Sequence, residues 1–158
     1  MWSPWRYRYV SSPGSDDGCL FCRIAHEKKD CENYVLIRAE LNFVLLNRYP
    51  YTTGHLMIAP YRHVSRLLQV DQEVTDEMMR LARRAEEYLE EVYRPDGLNL
   101  GMNLGEAAGA GIEQHIHLHV LPRWKGDANF MTTVGEVRIM PEDLSDTYRK
   151  LKPRFAGA

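Results

Sequence analysis

The chain has 158 residues and a formal net charge of −2, and 44% of its residues are hydrophobic. This composition is typical of a globular protein with a buried core, and it argues against a disordered, collagen-like or polybasic protein. No apolar run approaches the roughly 18 to 20 residues of a membrane span, and the start lacks the order of a secretory signal. We therefore expect a cytoplasmic protein without a membrane or nucleic-acid partner.

Residues 1–17 combine aromatic residues with turn-forming residues. Trp2, Trp5 and Tyr9 precede a stretch of serine, proline, glycine and aspartate, a composition typical of an irregular segment. Clustered aromatic residues on such a segment usually mark a contact surface. The sequence predicts an aromatic arm over 1–17 and a single domain over 18–158.

Five segments have the apolar composition and the turn-residue borders of β-strands. They cover residues 34–38, 42–46, 55–59, 98–103 and 115–121. The first three follow one another closely, which favours an antiparallel meander, and a glycine-rich connection over 105–111 joins the last two.

One long helix is predicted between the meander and the last two strands. From Asp71 to Tyr93, apolar residues recur at intervals of three and four, which is the period of an amphipathic helix. Asp71 is a typical N-cap residue, and Pro95 follows the end of the helix. A short helix is predicted over 141–151, and this order of elements favours an α+β domain.

Three of the six histidines, His115, His117 and His119, alternate with apolar residues on the last predicted strand. Because side chains alternate between the two faces of a strand, the three histidines share one face and the apolar residues the other. The residues alone leave two interpretations open, a polar face without chemistry and a metal site.

The segment from His115 to Leu121 resembles the histidine triad motif, His-φ-His-φ-His-φ-φ with φ apolar, at every position. The segment from Asn47 to Pro60 resembles the nucleotide-binding strands of the same family, so the resemblance covers about residues 19–124. It implies the histidine triad fold, an antiparallel meander with one long helix and a short C-terminal helix. It also implies a homodimer whose sheets join across a symmetry axis.

Within this family, three segments resemble bacterial diadenosine tetraphosphate phosphorylases. They cover residues 47–57, 103–105 and 123–130. The resemblance implies cleavage of AMP-X nucleotides, with dinucleoside polyphosphates as favoured substrates. Phosphorolysis, with inorganic phosphate as a partner, is slightly favoured over hydrolysis. The alternative is a non-catalytic nucleotide-binding or interaction protein on the same fold.

The resemblance assigns catalysis to the last two histidines of the triad. His117 attacks the α-phosphorus and forms a nucleotidyl-histidine, which splits one difficult displacement into two easier ones. A neutral imidazole near pH 7 suits this task. His119 binds the phosphate or protonates the leaving group, and the mechanism requires no catalytic metal.

Other residues are assigned to the nucleotide by the same resemblance. Asn47 contacts the ribose, His55 supports the site and Asn103 contacts the phosphate. Backbone amides of the glycine-rich connection, at Gly109 and Gly111, are expected to bind phosphate oxygens together with His119. Many family members carry Ser or Thr three residues before the first triad histidine, where this chain has Ile112, so the group that protonates the leaving group stays open.

Cys19 and Cys22 form a C-x-x-C pair that resembles the C-x-F-C segment of zinc-carrying family members. Matching by position adds His63 and His115, and such a Cys₂His₂ set closes a structural zinc site. The alternatives are ordinary buried thiols, substitution by Cys31 or His26, and thioredoxin-like redox chemistry. The last is disfavoured because residues 26–30 have no apolar face.

Overall fold

The computed structural model describes residues 18–129, 132, 134–135 and 140–156, which form five strands, three α-helices and two short 3₁₀ turns. The strands are β1 (Val35–Arg38), β2 (Asn42–Leu46), β3 (Leu56–Pro60), β4 (Gly97–Gly101) and β5 (Leu118–Arg123). The helices are α1 (Leu20–His26), α2 (Gln72–Tyr93) and α3 (Leu144–Ala156), and the 3₁₀ turns are Leu67–Gln69 and Glu106–Ala108. The predicted aromatic arm over 1–17 lies outside the described residues.

The strands form one antiparallel sheet in the order β1-β2-β3-β5-β4. The meander of the first three strands and the pairing of β4 with β5 confirm the predicted α+β fold. Strand β5 lies between β3 and β4, with Met57 on one side of His119 and Gly101 on the other. The histidine-rich strand is therefore interior to the sheet.

Two apolar clusters cover the two faces of the sheet. Alternate residues of β2 and β3, such as Val44 and Ile58, pack with α2 and α3 in the larger cluster. The other alternate residues, such as Phe43 and Met57, pack with Phe21 of α1 in the smaller one. The period of two along each strand therefore separates a helix-covered core face from the face that carries the histidines.

Helix α2 agrees with its predicted bounds. Asp71 occupies the N-cap position, but its side chain makes no capping hydrogen bond and forms an ion pair with Arg62 at 2.9 Å. Buried Glu77 accepts hydrogen bonds from the backbone N–H groups of Glu40 and Leu41 at 3.1 and 2.9 Å. The helix thus fixes the turn between β1 and β2. None of the helices in the described part of the chain has the length and apolar composition needed to cross a membrane.

Three elements differ from their prediction by more than two residues. Helix α1 was not predicted, because a seven-residue helix with two buried side chains, Phe21 and Ile24, has too short a pattern to detect. Strand β5 begins at Leu118 and not at residue 115, because the N–H of Ile116 donates to the carbonyl of Val64 at 2.8 Å. Helix α3 begins later than residue 141 and continues through Pro153, where buried Phe155 holds its last turn against the core.

Gly54 closes the turn that precedes β3. Its φ of +77° is left-handed, and a Cβ there would lie 3.1 Å from Leu89 Cδ2 and 3.3 Å from a side-chain carbon of Tyr93. Only glycine combines this conformation with such a close approach to α2. The turn before His55 therefore packs directly against the long helix α2.

Candidate active site and metal centre

The three triad histidines lie together beneath α1. His115, His117 and His119 are 0%, 6% and 8% exposed. The ring centroids of His117 and His119 are 4.8 Å apart, and Phe21 of α1 lies 4.8 Å from the ring of His117. Although two of these histidines precede the ladder of β5, the structure brings all three together as predicted.

Helix α1 is held over the triad at both of its ends. At its C-terminal end, the Arg38 guanidinium donates to the carbonyls of Ile24 at 2.8 Å and Glu27 at 2.7 Å, and pairs with Asp30 at 2.9 Å. Cations at a helix C-terminus satisfy carbonyls that have no partner within the helix. At its N-terminal end, α1 meets the triad through the cysteines described below.

His117 has a defined tautomer. Its Nδ1 lies 2.9 Å from the carbonyl oxygen of His115. Because a carbonyl can only accept, Nδ1 carries the proton and Nε2 carries the lone pair in the neutral ring. Burial lowers the pKa of His117 below its usual range, which favours this neutral form. His117 thus presents an unprotonated Nε2, whose lone pair can act as a nucleophile.

A second chain of hydrogen bonds fixes the tautomer of His119. The backbone N–H of Tyr51 donates to His55 Nδ1 at 3.1 Å, so the proton of neutral His55 is on Nε2. His55 Nε2 in turn lies 2.9 Å from His119 Nδ1, which accepts. The remaining nitrogen of neutral His119, Nε2, therefore carries a proton that it can donate to a phosphate oxygen.

Asn47 joins this chain from the end of β2. Its Nδ2 lies 3.3 Å from His55 Nδ1, and its Oδ1 accepts a hydrogen bond from the N–H of Tyr49 at 2.9 Å. The structure therefore brings Asn47, His55 and His119 together. A further role of Asn47 toward a ribose stays a prediction.

The glycine-rich connection forms a compact loop after β4. Asn103 Nδ2 donates to the Gly109 carbonyl at 3.4 Å, and Gly105 and Gly109 flank the 3₁₀ turn with φ of +89° and +83°. Ile112 packs against the smaller apolar cluster, where Phe21 lies. Position 112 therefore makes an apolar contact and carries no hydroxyl. The predicted phosphate contacts of Asn103, Gly109 and Gly111 stay predictions.

Four potential metal ligands converge at the N-terminal end of α1. Ligand atoms of Cys19, Cys22, His63 and His115 all lie within 4.8 Å of one another. Cys22 Sγ is 3.2 Å from His63 Nδ1, and Cys19 Sγ is 3.3 Å from His115 Nδ1. In a tetrahedral zinc site, sulfur and nitrogen ligands lie about 3.6 Å apart. The set therefore has the composition and the approximate spacing of a structural zinc site.

The protonation of His115 suits metal ligation. Its Nε2 donates to the Pro60 carbonyl at 2.8 Å, so the neutral ring turns the Nδ1 lone pair toward both cysteines. Such a carbonyl partner is typical of metal-binding histidines. Burial lowers the pKa of His115, which favours the neutral form that a metal ligand requires. Burial also raises the pKa of the Cys22 thiol. Cys31, which is exposed, and His26 lie outside the described cluster.

Two contributors to the site were not predicted. Phe21 packs on the rings of both His115 and His117, at 5.2 and 4.8 Å between centroids. Tyr51 supplies its backbone N–H to His55 and packs its ring against that of His119 at 6.1 Å. Phe21 stands inside the C-x-F-C segment and could have been found there, whereas a backbone donor leaves no signal in a sequence.

Comparison with known proteins agrees with the resemblance to the histidine triad family. The model of the HIT domain family matches residues 28–126. A Mycobacterium tuberculosis protein named AP-4-A phosphorylase is 38% identical over 164 residues, which cover 99% of this chain and 84% of that protein. A Schizosaccharomyces pombe protein named asymmetrical bis(5'-nucleosyl)-tetraphosphatase is 27% identical over 124 residues, covering 78% of this chain and 68% of that protein.

Among solved structures, a zinc-bound histidine triad family protein from Mycobacterium smegmatis superposes with a TM-score of 0.71. It is 30% identical, and the match covers 89% of this chain and 94% of that chain. The curated relatives above carry the names of enzymes. Since the family model matches most of the chain and the M. tuberculosis relative matches nearly all of it, the chain belongs to the HIT domain family.

Proposed function

We propose that the protein is a nucleotidyl transferase or hydrolase that cleaves dinucleoside polyphosphates through a covalent nucleotidyl-histidine at His117. The observation that carries this proposal is the 2.9 Å hydrogen bond from His117 Nδ1–H to the His115 carbonyl, which leaves Nε2 unprotonated. The names of the curated relatives support the substrate class.

The first step forms a bond between His117 Nε2 and the α-phosphorus. The bond between that phosphorus and the bridging oxygen breaks, and the electron pair leaves with the second nucleotide. His119 donates Nε2–H to a phosphate oxygen and so stabilises charge on the transferred group. In the second step, an oxygen of phosphate or water attacks the phosphorus, the P–N bond breaks and His117 is regenerated.

Phosphorolysis is the slightly favoured second step, and the resemblance to the M. tuberculosis relative supports it. The test is incubation of the purified protein with diadenosine tetraphosphate, with and without inorganic phosphate, followed by chromatography of the products. ADP with ATP that forms only in the presence of phosphate is the expected result. AMP with ATP in the absence of phosphate would identify a hydrolase instead.

His117→Ala tests the nucleophile in the same assay. We expect turnover to fall by about three orders of magnitude or more, because a removed nucleophile leaves only binding and electrostatic contributions. An unchanged melting temperature shows that the fold is intact. Wild-type turnover in this variant would contradict the proposal.

We assign the remaining site residues by resemblance, supported by the contacts above. Asn47 would contact the ribose, His55 positions His119, and Asn103 with the loop of Gly109 and Gly111 would contact the phosphates. A structural zinc ion would be held by Cys19, Cys22, His63 and His115. When bound, it supplies a crosslink between α1 and the triad segment, and no step of the reaction requires it.

We also propose a cytoplasmic homodimer. Strand β4 is an edge of the sheet that the described residues form, and its last three residues, Asn99 to Gly101, are exposed. An exposed edge strand is a ready template for pairing with a second copy. None of the three cysteines, all of which the structure describes, forms a disulfide, which suits a reducing compartment.

The packing of Ile112 favours one alternative, a nucleotide-binding protein without catalysis. The apolar side chain offers no hydroxyl to the leaving group at this position. If this alternative holds, AMP raises the melting temperature while no AMP-X substrate is consumed. Product formation in the assay above contradicts it.

A further inference from the structure

A cavity of about 580 Å³ lies at the end of β5, next to the triad. Its walls include Tyr51, Tyr93 and Trp124. The ring of Tyr51 also packs against the rings of His55 and His119, at 4.9 and 6.1 Å between centroids. The cavity therefore shares a wall with the site, and its volume is in the range of small-molecule pockets.

The charges around this cavity are paired with one another. Arg123 donates to both carboxylate oxygens of Asp127, at 2.6 and 2.7 Å. Lys150 contacts the carboxylate of Glu142, which also accepts a hydrogen bond from the Tyr93 hydroxyl at 2.6 Å. Among the described lining residues, two cations thus face two carboxylates, so these side chains carry no net charge to attract a phosphate group. They suit a neutral ligand with polar edges.

Two hydroxyls in the cavity wall have unused hydrogen-bonding capacity. The Oγ1 atoms of Thr52 and Thr53 are buried and have no hydrogen-bond partner among the described residues. Thr53 is 8% exposed and lines the cavity. Buried hydroxyls are normally paired, and an unpaired one commonly marks the place of a ligand or an ordered water. Both oxygens are closed to solvent in this structure, so a ligand reaches the Thr53 hydroxyl only when that side chain rotates toward the cavity.

We propose that this cavity holds the leaving nucleoside of a dinucleoside polyphosphate, the half that is not transferred to His117. The inference rests on the proposed function. Three aromatic walls offer faces and edges to a planar base, and the threonine hydroxyls and paired carboxylates offer hydrogen bonds to base or ribose. The ring of His119 packs against both Tyr51, which lines the cavity, and His117, so phosphates that join the two places would pass the histidine that donates Nε2–H.

The test compares a substrate that has a second nucleoside with one that lacks it. Diadenosine tetraphosphate is the first, and adenosine 5'-phosphoramidate, whose leaving group is only an amine, is the second. Ala128 is exposed and lines the cavity, so Ala128→Trp fills the cavity from its mouth without disturbing the core. Ala156→Trp, at the exposed end of α3, is the matched control. Thr53→Val removes one hydroxyl at nearly constant volume.

For Ala128→Trp, we expect the ratio of kcat/KM for diadenosine tetraphosphate to kcat/KM for the phosphoramidate to fall by about tenfold or more, mainly through KM. Thr53→Val lowers the same ratio by about three- to tenfold, as expected for one hydrogen bond. Ala156→Trp leaves the ratio at the wild-type value. Melting temperatures of all variants establish that they are folded.

Equal losses on both substrates, or unchanged ratios in both cavity variants, would overturn the assignment of this cavity. In that case wild-type turnover of the phosphoramidate still supports the proposed chemistry at His117, so the two failures are distinguishable. If the wild-type protein turns over neither substrate, the proposed function fails and the cavity assignment fails with it.

Discussion

His119 is the residue whose environment departs most clearly from that of a histidine in water. Burial, and then the neighbouring His117, lowers the pKa of His119 to about 4. The ring is therefore neutral near pH 7, and the hydrogen bond from His55 decides which of its nitrogens carries the proton. A neutral donor suits the binding of a phosphate oxygen better than the delivery of a proton to a leaving group.

The lowered pKa of His119 predicts how stability depends on pH. The unfolded chain takes up a proton near pH 6.5 and the folded chain only near pH 4, so stability is complete above pH 6.5 and is lost as the pH falls toward 4. His119→Gln is expected to reduce this loss by up to roughly 3 kcal/mol. Urea unfolding at pH 7.5 and 4.5 measures the loss of unfolding free energy in the wild type and in the variant. His26→Gln, which removes an exposed histidine, is the matched control. An unchanged pH dependence in His119→Gln would contradict the prediction.

The roles of single residues were predictable only where a motif carries them. The alternation of His115, His117 and His119 and the C-x-F-C segment were visible in the sequence, and the structure brings both groups together. The tautomers were not predictable, because they depend on a backbone carbonyl and on a contact between His55 and His119 across 64 positions of sequence. The cavity beside Tyr51 depends on segments far apart in the chain and leaves no pattern.

At the scale of elements, α1 connects the four residues of the candidate metal centre to the triad. It carries Cys22, follows Cys19 directly and packs Phe21 against His115 and His117. Its seven residues are too few for a stable isolated helix, so its position depends on these contacts and on Arg38. The long elements were predictable because their periods extend over many residues, whereas α1 is determined by tertiary contacts.

Cys22→Ser is expected to empty the metal centre and loosen α1. Zinc measured after purification without chelator falls from about one to well below one per chain, and the melting temperature falls by about 5 °C or more. Cys31→Ser, at an exposed cysteine outside the cluster, keeps both values. Zinc well below one per wild-type chain would contradict the metal proposal.

A second prediction at the scale of elements concerns the turn before β3. Gly54→Ala is expected to destabilise the fold by about 2–4 kcal/mol, since it combines a left-handed φ with a clash against α2. Gly126→Ala is the matched control, because its φ of +82° is similar and nothing lies within 4 Å of the added carbon. Gly126→Ala is expected to lower the free energy of unfolding by about 1–2 kcal/mol, which is the conformational contribution alone. Denaturant unfolding measures both, and equal losses would show that the contact with Leu89 does not matter.

For the whole molecule, the proposed dimer depends on the edge strand β4. Leu100 is 45% exposed on this strand, and among the described residues β5 is the strand that pairs with it. Leu100→Lys places a charge on the edge and is expected to convert the proposed dimer to a monomer in light scattering. Leu68→Lys, at a 97% exposed leucine in the 3₁₀ turn, leaves association unchanged. A dimer that persists in Leu100→Lys would exclude this edge as the interface.

The metal cluster also has a consequence for synthesis of the chain. Its ligands are distant in sequence, since Cys22 is separated from His63 by 41 positions and from His115 by 93. At a translation rate of about 5–20 residues per second, the thiols emerge roughly 5–20 s before the last histidine. During that interval the nascent chain carries at most three of the four ligands, so the closed Cys₂His₂ set cannot form. Because His115 is both the last of the four ligands and the first triad histidine, α1 can pack over the triad only after this segment has been synthesised.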